Sequence, residues 1–150
     1  MRQPFQVLVI PFIKTEANYQ FGVLHRTDAD VWQFVAGGGE DEDEEAISET
    51  AKRESIEELN LGVKVKMYSL DSHATIPNFH FSFNKPYVVP EYCFAIDLTS
   101  CSYQVTLSLE HSELRWVSYE SAVQLLEWDS NKTALYELNE RLKNNDMKAI

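Results

Sequence analysis

Cysteine is scarce in this sequence, which holds only Cys93 and Cys101 among 150 residues. The two lie apart and do not form a metal-ligand pattern, so neither a disulfide framework nor a zinc site is expected. This usage predicts a protein of a reducing compartment, and we take the cytoplasm as its setting.

Long apolar runs are also missing. The opening stretch, residues 1–13, is apolar but contains Arg2 and two prolines. It is too short to span a bilayer or to act as a signal peptide. No association with a membrane is expected.

Basic residues are few, with 13 Lys and Arg against 24 Asp and Glu, which gives a formal net charge of -11. This balance argues against binding of long nucleic acid, which needs cationic side chains at the phosphates. A small phosphorylated substrate stays compatible with the charge if a divalent cation bridges substrate and protein.

The rest of the sequence predicts one α+β domain over residues 1–150, since 44% of the residues are hydrophobic and no repeat or linker is visible. Short apolar runs rich in β-branched and aromatic residues predict six strands, and stretches of helix formers predict three helices. The strands are expected at 6–13, 19–25, 31–35, 63–72, 86–98 and 112–117, and the helices at 44–59, from Ser118 and at 133–143. We expect a flexible glycine loop at 37–39, an aromatic loop at 73–85 and a frayed tail after Asn144.

Three carboxylates dominate the first predicted helix. Glu54, Glu57 and Glu58 share one helical face because they are three and four residues apart. They repel one another, and near the end of a helix the macrodipole disfavours each by about 0.3 to 1 kcal/mol. A hard divalent cation reverses these penalties, because carboxylate oxygens are its preferred ligands. A solvated acidic helix with Lys52 and Arg53 as ion-pair partners is the alternative.

The same stretch resembles the Nudix box, G-x5-E-x7-R-E-U-x-E-E-x-G-U, where U is aliphatic. The matching positions are Gly39, Glu45, Arg53, Glu54, Glu57, Glu58 and Leu61. Ser55 and Asn60 depart from the pattern, at an aliphatic and a glycine position, and neither touches the carboxylates. The box could also begin at Gly37, the first glycine of the run.

The resemblance implies the Nudix fold, a mixed β-sheet sandwiched between α-helices, and a hydrolase that depends on Mg²⁺, with Mn²⁺ as an alternative. It implies that Glu54, Glu57 and Glu58 hold metal and that Arg53 orients them. By the same match, Glu45 supports the loop, and a carbonyl of the glycine run, that of Gly38, completes the metal site.

Three further segments are similar to the bacterial dATP and dihydroneopterin triphosphate pyrophosphohydrolases of this superfamily. They are residues 25–28 with Trp32 and Gln33, then Glu110 and His111 ahead of Trp116, and residues 128–132. This resemblance adds Glu110 to the metal site and implies that a nucleoside or pterin triphosphate yields a monophosphate and pyrophosphate. Glu57 or Glu110 would then take the proton of the attacking water.

Five aromatic residues could stack on a base or pterin ring at about 1 to 3 kcal/mol: Trp32, Phe79, Phe81, Trp116 and Trp128. At most two of them are expected to contact substrate, and Trp32 and Phe79 are favoured because they flank the glycine run or lie in the aromatic loop. Arg26 is a candidate phosphate ligand, although an ion pair with Asp28 or Asp30 is the alternative. A Nudix enzyme for ADP-ribose, dinucleoside polyphosphates or capped RNA stays open, as does a binding module without catalysis. Monomer and homodimer stay open as well.

Overall fold

The computed structural model describes residues 2–40, 46–62, 65–81 and 84–150, except for the side chains of residues 2–4 and 40. An eight-stranded mixed sheet forms the centre of these described residues. The strands are β1 (Arg2–Lys14), β2 (Tyr19–Arg26), β3 (Trp32–Gln33), β4 (Val35–Glu40), β5 (Lys66–Pro77), β6 (Val88–Asp97), β7 (His111–Val117) and β8 (Lys148–Ala149). Their order is β3-β2-β1-β6-β5-β8, with β4 beside β1 and β7 beside β2. Strands β1 and β6 run parallel, and the other described pairs are antiparallel.

In the described part of the chain, three α-helices accompany the sheet: α1 (Ile47–Leu59), α2 (Tyr119–Leu125) and α3 (Asp129–Lys143). Helix α1 ends where the sequence predicted, because Asn60 takes the left-handed conformation with φ 51°. Ser118 caps α2 by accepting a hydrogen bond from the backbone N–H of Ser121. None of the described helices is long and apolar enough to cross a membrane.

The helices cover both faces of the sheet, so the sandwich implied by the resemblance is confirmed. Alternate residues of β1 point to opposite faces: Val7 and Val9 pack with Ala51 and Leu59 of α1. Leu8 and Ile10, with Phe12, pack instead with residues of α2 and α3 such as Ala122, Leu135 and Leu138. The two apolar layers hold α1 on one side of the sheet and α2 and α3 on the other.

Four local predictions were wrong. The glycine run is not a loop but part of β4, which pairs with β1 through Gln6↔Gly38 and Val7↔Gly37. The aromatic loop begins later than expected, because β5 continues to Pro77 against β6. Helix α3 starts at Asp129, four residues before the predicted start. The tail is paired, since β8 adds to the edge of β5. In each case pairing with a distant strand or packing overrides local propensity.

Candidate active site

Arg53 links the acidic end of α1 to the glycine strand. Its Nη1 lies 3.1 Å from Glu54 Oε1 and 3.2 Å from Glu57 Oε2. Its Nη2 donates to the carbonyl oxygen of Gly38 at 2.8 Å. A planar guanidinium holds several acceptors in fixed directions. Arg53 therefore brings together two predicted carboxylates and the predicted backbone carbonyl.

Glu54 is enclosed between α1 and β4, and its side chain is 12% exposed. It packs directly over Gly37, where a Cβ atom would collide with the carboxyl group. Burial raises the pKa of Glu54 from 4.5 to about 7, and the neighbouring charges of Glu57 and Glu58 add to this, although Arg53 opposes it. A buried carboxylate with this environment binds either a proton or a cation readily.

Glu58 faces the sheet and is almost fully buried. Its Oε2 accepts hydrogen bonds from Ser108 Oγ at 2.7 Å and from His111 Nδ1 at 3.0 Å. The amide Nε2 of Gln33 lies 3.2 Å from His111 Nε2, so a ring protonated on Nδ1 satisfies both neighbours. Burial alone would raise the pKa of Glu58, but the hydrogen bonds from His111 and Ser108 outweigh it and lower that pKa.

Glu110 lies in the turn before β7, next to Glu58. Burial raises the pKa of Glu110, and a hydrogen bond shared with the Glu58 carboxylate raises it further. The turn is anchored to the end of β2, because Thr27 N–H donates to Glu110 O at 2.9 Å and Thr27 Oγ1 donates to Leu109 O at 2.8 Å. The structure thus places Glu110 beside the box helix, although 52 to 56 residues separate it in sequence from Glu58 and Glu54.

The donor chemistry of this cluster fits a hard divalent cation. The pKa of Glu110 is raised by burial and by the adjacent Glu58 carboxylate, and the pKa of Glu54 is raised by burial; a cation bound to these carboxylates would offset both penalties. Glu57 is 55% exposed and meets only Arg53 among the contacts described. Among the described residues, no three Asp, Glu, His or Cys side chains are grouped closely enough, as they stand, to hold a metal ion. Glu45, predicted to support the loop, lies outside the described residues.

An open cleft of about 1240 Å³ begins at these carboxylates and extends across the α3 side of the sheet. Glu54, Glu110 and Gly38 lie at one end. Its other walls come from β1, β6, the end of β5 and the start of α3. The residues that line these walls include Gln6, Leu8, Pro77, His80, Phe81, Glu91, Trp128 and Asn131. One continuous space therefore joins an acidic end to an end with aromatic and polar walls.

Of the three predicted substrate residues, one lines the cleft and two do not. Arg26 lines the cleft, and its Nε and Nη2 both donate to the Asp28 carboxylate at 2.7 Å. Trp32 instead packs between His25, with ring centroids 4.8 Å apart, and the Arg115 guanidinium at 4.7 Å. Phe79 is 77% exposed. Neither of these two rings is part of the cleft wall.

Two of the five aromatic candidates, Phe81 and Trp128, line the cleft, and so does His80, which the sequence did not indicate. His80 and Trp128 meet edge to face with centroids 5.9 Å apart, and Phe81 follows on the same side. His111 was noted only as the neighbour of Glu110, yet it holds Glu58. The sequence could have indicated Glu91, because it is the one charged residue in the interior of β6, whose other charged residue, Asp97, ends the strand.

Comparison of this chain with known proteins finds similarity to the NUDIX domain in both sequence and structure. A model of the NUDIX domain matches residues 7–138. The crystal structure of a candidate NUDIX hydrolase from Listeria monocytogenes is 95% identical, covers 99% of this chain and 100% of that chain, and superposes with a TM-score of 0.92. The E. coli dihydroneopterin triphosphate pyrophosphohydrolase is 22% identical over 93% of this chain and 97% of that chain, with a TM-score of 0.78. A C. elegans Ap4A hydrolase is 19% identical over 95% and 99%, with a TM-score of 0.74. No curated protein matches the sequence.

Proposed function

Because this chain belongs to the NUDIX family and is a Nudix hydrolase, we propose that it cleaves a phosphoanhydride bond in a nucleoside-triphosphate-like substrate. The substrates we propose are dATP, another nucleoside or deoxynucleoside triphosphate, or dihydroneopterin triphosphate. The products are the monophosphate and pyrophosphate.

The observation that carries this proposal is the continuity of the cleft. Its acidic end contains Glu54 and Glu110, and its other end offers the rings of His80, Phe81 and Trp128. A phosphate chain needs the first environment once a cation is present, and a planar heterocycle fits the second by stacking. A triphosphate joined to one ring system combines both.

Glu54, Glu57, Glu58 and Glu110, with the carbonyl of Gly38, are the groups that would hold Mg²⁺ or Mn²⁺. The metal would neutralise phosphate charge and make water a better nucleophile. The protein's own contribution is orientation: Arg53 fixes Glu54, Glu57 and the Gly38 carbonyl, and His111 and Ser108 fix Glu58.

The reaction is a substitution at phosphorus by water, and it needs no covalent intermediate with the protein. Water forms the new P–O bond, the anhydride P–O bond breaks, and pyrophosphate leaves. Glu57 or Glu110 accepts the proton of the water. Both are exposed to solvent, and Glu110 lines the cleft.

The test is a substrate panel with Mg²⁺ that contains dATP, dGTP, dihydroneopterin triphosphate, ADP-ribose and Ap4A, with separate assays for pyrophosphate and phosphate. We expect the highest kcat/KM for a triphosphate with a single ring system, with pyrophosphate as product. Preferred cleavage of ADP-ribose or Ap4A would replace the proposed substrate class. Tight binding without turnover of any compound would indicate a binding module.

A further inference from the structure

Glu91 lies in the middle of the sheet, where a charged residue is unusual. It belongs to β6 and pairs in register with Gln6 of the parallel strand β1. Its neighbours Val89 and Cys93 on the same face are buried, and Glu91 itself is only 3% exposed. Folding has therefore removed a carboxyl group from water without placing a cation beside it among the described contacts.

One oxygen of this carboxyl group has a partner and the other does not. Glu91 Oε2 accepts a hydrogen bond from Gln6 Nε2 at 2.9 Å. Glu91 Oε1 is the one buried side-chain polar atom without a hydrogen-bond partner in the described part of the chain. Buried polar atoms are nearly always paired, and an unpaired acceptor costs about 1 to 3 kcal/mol, with more for a charged group. A feature this unfavourable indicates a partner that arrives with a ligand.

The position of Glu91 in the fold indicates where such a ligand would bind. Glu91 lines the same cleft as Glu54 and Glu110, on the α3 side of the sheet. The same cleft is lined by the rings of Phe81 and Trp128 and by Asn131, which is also buried. Burial raises the pKa of Glu91, and the hydrogen bond from Gln6 only partly offsets this. The carboxyl group thus lies in a cleft that also has aromatic walls, and one of its oxygens is unpaired.

We propose that Glu91 recognises the ring of the substrate by accepting hydrogen bonds from a 2-amino-4-oxopyrimidine edge, the edge that guanine and pterins share. This proposal rests on the proposed function, because it assumes that the phosphates occupy the acidic end of the same cleft. On that edge, a ring N–H and an exocyclic amino group are adjacent. Two parallel donors match a carboxylate in the way that a guanidinium does.

Other rings fit an ionised carboxylate less well. Adenine and cytosine place an amino donor beside a ring nitrogen that is an acceptor, and an ionised carboxylate has only acceptors. That ring nitrogen would face an oxygen of like polarity. Glu91 would therefore select against these bases as well as for guanine or a pterin.

The experiment compares two substrates that differ by one amino group. The kcat/KM for dGTP and for dITP, which lacks the 2-amino group, is measured with Mg²⁺ for the wild type and for Glu91→Gln. We expect the wild type to prefer dGTP by at least about tenfold, because removal of the donor leaves a buried acceptor unpaired. The preference should fall to about threefold or less in Glu91→Gln, and Glu113→Gln should keep the wild-type ratio.

Two outcomes would overturn the assignment of Glu91: a wild-type ratio near one, or an unchanged ratio in Glu91→Gln. A Glu91-dependent preference for dATP would overturn the assignment of the ring. If no triphosphate is hydrolysed by the wild type at all, the proposed function fails instead. Melting curves test whether Glu91→Gln is folded. The ratio of kcat/KM for dGTP to that for dITP is also measured in Glu91→Asp, which keeps the charge but shortens the side chain, as a second test of the assignment.

Discussion

The carboxyl group of Glu54 occupies the space that a side chain at Gly37 would need. Gly37 is in β4 and has no positive φ, so its backbone conformation suits any residue. A side chain at position 37 would displace the Glu54 carboxyl group, because this helix carboxylate packs onto the strand. The glycine run therefore contributes to the acidic site through close packing.

We expect Gly37→Ala to reduce turnover at least about tenfold and to destabilise the fold by about 1 to 3 kcal/mol, because the methyl group displaces Glu54. Steady-state kinetics and urea unfolding measure the two effects. Gly62→Ala is the matched control, since a Cβ there meets nothing within 4 Å and its φ is not positive. A Gly37→Ala variant as active as Gly62→Ala would refute the packing argument.

The raised pKa of Glu54 predicts a specific pH dependence in metal-free buffer with a chelator. The folded pKa is about 7 and the ordinary value is 4.5. Between these values the folded protein binds more protons than the unfolded chain, so the free energy of unfolding falls as pH rises. Glu54→Gln lacks this contribution. Its stability relative to the wild type should rise from pH 4.5 to 7, and a difference independent of pH would contradict the prediction.

For Glu57→Gln we expect a loss of turnover of at least about a hundredfold, or roughly 2.7 kcal/mol of barrier, with the fold intact. Glu57 is half exposed and contacts Arg53, so little structure depends on its charge. Initial rates at saturating Mg²⁺, together with a melting curve, provide the measurement. Turnover close to that of the wild type would remove Glu57 from the site.

Glu110→Gln should lower turnover at least about tenfold, with a smaller effect on substrate affinity, because Glu110 adjoins Glu58 at the acidic end of the cleft. Glu113, three residues further on, forms an exposed ion pair with Arg115 at 2.6 Å. Exposed pairs contribute little, so Glu113→Gln should be close to neutral. Equal rates in the two variants would exclude Glu110 as a functional group.

Glu137 stabilises an irregularity in β5 and does not line the cleft. Its carboxylate accepts from the N–H groups of Asp71 and Ser72, both at 2.7 Å, where the pairing of β5 with β6 shifts register. Arg141 Nε also donates to it at 2.7 Å. Glu137→Gln should therefore lower stability by about 1.5 to 3 kcal/mol at neutral pH.

The stability lost in Glu137→Gln should become smaller as pH falls. Burial opposes the shift, but hydrogen bonds from Asp71, Ser72 and Arg141 lower the folded pKa of Glu137 below its ordinary value of 4.5. The stabilisation is complete above 4.5 and disappears as pH falls through the folded pKa. Chemical denaturation from pH 7 to 3 should show the two proteins converging. Glu140→Gln, on the same helix with an exposed carboxylate, should differ little from the wild type at any pH.

Much of the fold followed from local patterns. The apolar runs of β1 and β2, and the left-handed end of α1 at Asn60, are properties of short segments, and all were predicted. The errors fell where pairing partners are distant in sequence. Residues 73–77 became strand because β6 pairs with them, and the tail became β8 because the edge of β5 was available.

For the site, the sequence alone determined that Arg53, Glu54, Glu57 and Glu58 are neighbours, since helical periodicity needs no tertiary information. Only the tertiary structure decided that Arg53 reaches Gly38, that His111 and Ser108 hold Glu58, and that Trp32 and Phe79 lie off the cleft wall. Glu91 shows the same limit: its charge was visible in the sequence, but its unpaired oxygen was not. These contacts depend on strand register and on how segments tens of residues apart pack together, and no local spacing encodes either.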